Sequence, residues 1–145
     1  MRKYREILLA EDNPKDIELT LEALGEHHLA NNIVVAKDGV EVLEYLHCQG
    51  KFAERKPEKP IVILMDIKMP RMDGIETLRA IKQDPKFRTV PVVMLTASRE
   101  TPEIQTCYDL GANAFVVKPV DFMQFVDVVR KISVFWALLN QPPVD

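Results

Sequence analysis

Five residues of this sequence stand where apolar runs end. Glu11 and Asp12 follow Ile7 to Ala10, Asp66 closes the run from Ile61, Thr96 closes the run from Val92, and Lys118 follows Ala114 to Val117. Three carboxylates gathered in one place repel one another, raise each other's proton affinity and cost stability unless a cation sits between them. All three offer oxygen, with no His or Cys beside them, so the set suits a hard ion. Mg²⁺, which takes oxygen ligands at about 2.0–2.1 Å and keeps several waters, fits where zinc does not. Two or three carboxylates together with a phosphate would complete the coordination of such an ion. Each residue alone also reads as ordinary: Asp66 as a turn former or helix cap, Thr96 as a strand residue, Lys118 as a surface charge. Their shared placement at the ends of four apolar runs is what singles them out.

Those runs are the strands that must position the chemistry. Short apolar segments alternate with longer ones of helical period, the pattern of βα units and a parallel sheet covered on both faces. Five units fit, with strands expected at Glu6 to Ala10, Ile33 to Ala36, Ile61 to Asp66, Val92 to Thr96 and Ala114 to Val117. Asn13 and Pro14 read as the cap and first residue of a helix with Ile17, Leu21, Leu24 and His28 on one face. A second helix runs from about Gly39 to His47 on Val40, Leu43 and Leu46, and a third carries Ile75, Leu78 and Ile81 before Asp84 and Pro85 end it. Thr101 and Pro102 are expected to cap and open a fourth, with Gly111 in a left-handed conformation after it. The fifth, from about Asp121 to Leu139, is the longest and most apolar. In parallel sheets ligands sit beyond the carboxyl ends of the strands, so all five polar residues should converge on one edge.

The bulk properties set limits. The 145 residues carry 19 Lys plus Arg, 22 Asp plus Glu and 47% hydrophobic residues, enough for one domain with a real core, at a formal charge of −3 that suits neither a disordered tail nor a basic nucleic-acid binder. The longest apolar runs, Val134 to Leu139 and Ile61 to Met65, fall far short of the roughly 20 residues that cross a bilayer. Ile7 to Ala10 runs straight into Glu11 and Asp12 where a signal peptide would continue, so a cytoplasmic protein is expected. Cys48 and Cys107 are expected to be reduced thiols, a disulfide between them being the lesser alternative. Between Cys48 and Pro60 the polar, proline-bearing stretch reads as a solvated connection before a docking loop.

With these residues in view, the chain resembles the receiver domains of two-component response regulators over about Glu6 to Leu139. The likeness rests on Glu11-Asp12, on Asp66 within Leu64 to Gly74, on Thr96-Ala97 and on Phe115-Val116-Val117-Lys118-Pro119. It implies an α/β, flavodoxin-like (CheY-like) doubly wound sheet of five parallel strands in the order 2-1-3-4-5 with five helices. It implies further that Asp66 is the phosphoacceptor, taking a phosphoryl group from a phosphohistidine of a partner histidine kinase. Mg²⁺ would be held by Asp12, Asp66 and the backbone carbonyl of Lys68, with Glu11 assisting through a bound water. Lys118 and Thr96 would meet the phosphoryl oxygens, and the Lys118-Pro119 bond would be cis. Thr96 and Phe115 would form the switch, the aromatic swinging inward as the threonine moves, though Phe115 also reads as a plain core residue. Side chains at Lys68 and Ser98 would face the water that hydrolyses the acyl phosphate.

Six residues follow Leu139, so a single receiver domain over 1–145 with a short tail at 140–145 is expected, without a DNA-binding domain. Its output is then binding of another protein or relay of the phosphoryl group. In the last helix Phe122, Phe125, Val126, Val129, Ile132 and Trp136 form the sheet-facing stripe. Val128, Phe135, Leu138 and Leu139 add apolar surface beyond it, which points to a homodimer through this helix and the adjoining strand edge. The loop before the third strand and the segment from Phe135 to Pro143 resemble the small response regulators paired with cyanobacterial phytochrome-type kinases. That finer likeness implies a light-regulated phosphodonor. No enzyme beyond self-phosphotransfer and autodephosphorylation is expected: a haloacid-dehalogenase-like phosphatase wants an Asp where Lys68 stands, and a flavodoxin a phosphate loop where Asp12-Asn13-Pro14 stands. The remaining alternative is a receiver-fold adaptor that works without phosphorylation.

Overall fold

The computed structural model describes residues 6–25, 32–98 and 101–131. Five strands, β1 (Ile7–Ala10), β2 (Ile33–Ala36), β3 (Val62–Asp66), β4 (Val92–Thr96) and β5 (Ala114–Val117), form one parallel sheet in the order β2-β1-β3-β4-β5. Four helices connect successive strands, α1 (Pro14–Gly25), α2 (Gly39–His47), α3 (Gly74–Gln83) and α4 (Glu103–Asp109), and α5 (Phe122–Lys131) follows β5. The sheet order is the one the resemblance implied.

Period-two alternation sorts the strand residues onto two faces. Leu8, Ala10, Ile63, Met65, Val92 and Met94 meet Val42, Tyr45 and Leu46 of α2, Leu78 and Ile81 of α3 and Cys107 of α4. Ile7, Leu9, Val62, Leu64, Val93 and Leu95 meet Leu24 of α1 and Phe125 and Val128 of α5. Each fully buried aliphatic side chain contributes roughly 1.5–3 kcal/mol, which is why the central strands are apolar on both faces. The α2 face turns on Val42, Tyr45 and Leu46, with the expected Val40 and Leu43 only half-buried. Tyr45 displaces them because its ring fills the core while its hydroxyl, donated to Glu6 at 2.7 Å, stays satisfied at the rim.

Val128 corrects the expectation for the last helix. It does not stand on an outer apolar face but lies 9% exposed within the α5 side of the core, one turn from Phe125. With 3.6 residues per turn, positions 125 and 128 share a face, and Phe125 at full burial fixes which one. Phe135, Leu138 and Leu139, with Ile132, Trp136 and His28, lie outside the described residues.

The ends of the helices follow local chemistry. Asn13 Oδ1 accepts from the backbone N–H of Lys15 and Asp16 at 2.9 and 3.1 Å, capping α1. Asp73 and Glu76 form a reciprocal capping box on α3. Gly111 takes a φ of 108° after α4, as expected. Thr101 does not cap α4: Pro102 occupies the position before Glu103 without a side-chain cap, and the Thr101 hydroxyl instead contacts Thr96 and Ser98. The connection after α2 is less solvated than its composition suggests. A 3₁₀ turn at Gly50–Phe52 precedes Arg55, whose guanidinium lies 3.6 Å over the Tyr45 ring and donates to the Tyr45 and Glu58 carbonyls. Cys48 and Cys107 are both free thiols.

Candidate functional site

The sheet order places β3 at the centre, so the residue that ends it is flanked by the ends of β1 and β4. Asp66 closes β3, the acidic pair Glu11 and Asp12 follows β1, Thr96 closes β4, and Lys118 follows β5. Carboxylate oxygens of Glu11, Asp12 and Asp66 all lie within 4.8 Å of one another, with Glu11 and Asp66 buried and Asp12 exposed. This donor set is all oxygen, anionic and open on one side, the chemistry that a hard divalent cation requires. The backbone carbonyl of Lys68 belongs to the loop that leaves Asp66, and Lys68 lines a cleft of about 250 Å³ with Asp66, Thr96, Ala97, Thr101 and Lys118.

Lys118 supplies the counter-charge. Its Nζ lies 3.1 Å from Glu11 Oε1, 2.9 Å from Asp16 Oδ2 and 3.3 Å from Asp66 Oδ2, so its three N–H donors meet three carboxylates. Burial disfavours its charge, but the hydrogen bond it donates to Asp16 and the charges of Asp66 and Glu11 outweigh burial and hold the amine above its ordinary pKa. Burial, with the nearby Asp66 carboxylate second, pushes Glu11 up to about 7, against the opposing pull of Lys118. Asp16 is the shortest of the three contacts and no sequence signal marked it, since an acid in the first turn of a helix is what the helix dipole alone favours. Its spacing of four from Asp12, one turn along α1, was the available clue.

The loop that carries Lys68 is pinned at both ends. Gly74 N donates to Ile67 O at 2.7 Å, and a Cβ on Gly74 would fall 2.2 Å from the Asp66 carbonyl, so only glycine lets α3 begin this close to the end of β3. Arg71 sits at φ 60°, an uncommon value for a side-chain-bearing residue, and is held there by two hydrogen bonds to Asp38, at 2.7 and 3.1 Å. Asp38 in turn caps α2 through Glu41 N, and Gly39 N donates to Met72 O at 3.0 Å. Burial pushes Asp38 up, but Arg71 and the α2 backbone pull harder, and its carboxyl ends below the usual range. Neither Arg71 nor Asp38 was legible as a pair, being 33 residues apart.

Thr96 is 2% exposed, and its hydroxyl contacts the Ser98 carbonyl at 2.9 Å and the Thr101 hydroxyl at 2.8 Å. Phe115 is half-buried on β5, with Tyr108 of α4 set edge-on to it at 6.0 Å between ring centroids. Lys118-Pro119 is cis.

Proteins similar to this chain in sequence and in fold are numerous. The profile described as "Response regulator receiver domain" matches residues 7–130. Response regulator Rcp1 of Synechocystis sp. is 33% identical over 130 residues, covering 90% of this chain and 87% of that protein. The bacteriophytochrome response regulator AtBRR superposes with a TM-score of 0.87 at 51% identity, covering 97% of this chain and 100% of that one. The phosphorylated cyanobacterial phytochrome response regulator RcpA does so with a TM-score of 0.75 at 34% identity, covering 98% of this chain and 100% of that one. The first of these proteins has also been solved in a Mn²⁺-bound form.

Proposed function

Since the chain belongs to the response regulator receiver domain family, we propose that it is a single-domain response regulator that accepts a phosphoryl group on Asp66 from a sensor histidine kinase and thereby changes its protein–protein contacts. An Asp66 carboxylate oxygen forms the new bond to phosphorus as the phosphorus–nitrogen bond of the donor phosphohistidine breaks, its electron pair leaving with the imidazole. Mg²⁺, held by Asp12, Asp66 and the Lys68 backbone carbonyl with Glu11 assisting through a bound water, would neutralise the incoming phosphate. Lys118 leaves Asp66 for a phosphoryl oxygen and stays tethered by Asp16, and Thr96 donates its hydroxyl to another oxygen. Phe115 moves inward as Thr96 moves. Lys68, exposed at the cleft mouth, lengthens the life of the acyl phosphate by pairing with it.

The observation that carries this reading is the convergence of three carboxylates, one amine and one hydroxyl at a single strand edge. The test is intact-mass analysis after incubation with a small acyl phosphate and Mg²⁺. The parent gains the mass of one phosphoryl group and Asp66→Asn gains none; a parent that gains none leaves the phosphorylation-independent adaptor as the function.

The kinase is of phytochrome type, a reading supported by the likeness to bacteriophytochrome and phytochrome response regulators, and the chain works in the cytoplasm. Among the described residues no helix is long and apolar enough to cross a membrane. A homodimer forms through α5 and the residues C-terminal to it. With Val128 in the core, the apolar surface supporting this on the described part of α5 is Met123, 68% exposed.

A further inference from the structure

Thr96 has one proton to donate, and the structure shows where it goes. Thr96 Oγ1, Thr101 Oγ1 and the Ser98 carbonyl oxygen form a closed triangle with sides of 2.8, 2.9 and 2.9 Å. Two hydroxyl protons serve its three sides, and the carbonyl can only accept. Thr96 donates to Thr101 while Thr101 donates to Ser98, or Thr101 donates to Thr96 while Thr96 donates to Ser98, or both hydroxyls donate to the two lone pairs of the Ser98 carbonyl. In all three arrangements the Thr96 proton is consumed inside the ring. The Ser98 N–H adds a longer contact to Thr96 Oγ1 at 3.3 Å. Thr96 is buried, whereas Thr101 is half-exposed at the head of α4 and lines the same cleft as Asp66 and Lys118.

We propose that Thr101 is a positioning residue for Thr96: its hydroxyl keeps the Thr96 hydroxyl turned into this ring and away from duty at the cleft until a phosphoryl oxygen competes for it. This deepens the phosphotransfer reading and rests on it. Opening the ring costs the hydrogen bonds that Thr101 makes, so the ring opposes the modified state by that amount. It also releases the residue two positions ahead of α4, the helix whose Tyr108 packs on Phe115. The pocket is thereby joined to a helix surface by a chain of named contacts.

Three full-length proteins test this: the parent, Thr101→Val, which keeps the shape and removes the hydroxyl, and Thr101→Ser, which keeps the hydroxyl. The first readout is the affinity for beryllofluoride, a phosphoryl mimic, at saturating Mg²⁺. Loss of about one hydrogen bond from the resting state tightens binding by Thr101→Val about threefold to tenfold, with Mg²⁺ affinity unchanged and Thr101→Ser like the parent. The second is the Thr96 side-chain rotamer in ligand-free protein by NMR, single in the parent and the serine variant and averaged in the valine variant. Thr101→Ala repeats both measurements should valine crowd the head of α4. Equal or weaker beryllofluoride binding by the variants lacking the hydroxyl, or a serine variant that behaves like them, overturns the proposal. A parent that binds no beryllofluoride defeats the phosphotransfer reading instead, and the rotamer alone then judges the ring: averaging in the parent overturns it.

Discussion

Lys118 is the residue on which the electrostatics of the pocket turn. It is 17% exposed and lies within 3.3 Å of three carboxylates, two of them from the set that converges for a cation. Truncating one partner of a buried charge cluster leaves the others uncompensated, a loss of about 3–5 kcal/mol in full burial. With Asp16 at 29% exposure and solvent at the cleft mouth, Lys118→Ala is expected to lose roughly 1–3 kcal/mol in urea denaturation without metal. Added Mg²⁺ recovers much of that loss, because an ion among the acids replaces the missing charge. A variant as stable as the parent in chelator would mean that the carboxylates do not need the amine. This lysine, Asp66, Thr96 and the acidic pair were legible in the sequence because each is a polar break in an apolar run. Asp16 and Thr101 escaped because a helix start explains an acid or a threonine without any site, and only the tertiary arrangement reveals their partners.

Among the elements, the loop from Asp66 to Gly74 is positioned by its neighbour as much as by its own strand. Asp38 caps α2 and grips Arg71 across the gap, so one carboxylate serves two elements. Asp38→Ala is expected to lose about 1 kcal/mol from the cap alone. The sign of the pH effect follows from the depressed carboxyl. Its contribution is fully present above the ordinary value of 3.8 and fades as pH falls below it, so parent and variant converge in stability in acid. Denaturation curves from neutral pH down into acid check this; a gap that widens as the pH falls would exclude the ion pair. The five strands and five helices were legible from alternating periods, with β1 and β3 each starting one residue later than expected. Side-chain facing was less legible. On α2 and α5 the apolar residues wrap more than one face: tertiary packing kept the expected Leu46 but chose Val42 and Tyr45 over Val40 and Leu43, and it kept the expected Phe125 and Val126 while adding Val128.

The whole molecule divides its labour across the sheet. The β2 edge is tied down by Tyr45, Arg55 and the 3₁₀ turn, while the β4–β5 side holds Thr96, Phe115 and Lys118. Under the proposed phosphotransfer reading, a change at Asp66 on the central strand would act toward the flank that carries Thr96, Phe115 and Lys118. If α5 and the segment after it form the proposed dimer, sedimentation at tens of micromolar gives a dimer, whereas monomer alone, with or without phosphorylation, rejects that assembly. The strand order came from likeness to a family, because five βα units permit several windings. The placement of the chemistry at one edge then followed from parallel topology itself. The amine at the centre of the acids has one more effect. A fold that carries its own internal counterweight does not come apart when magnesium runs short. Scarcity of the ion would then mute the signal reversibly while sparing the chain from the proteases that clear unfolded protein, so that supply restored is function restored without new synthesis.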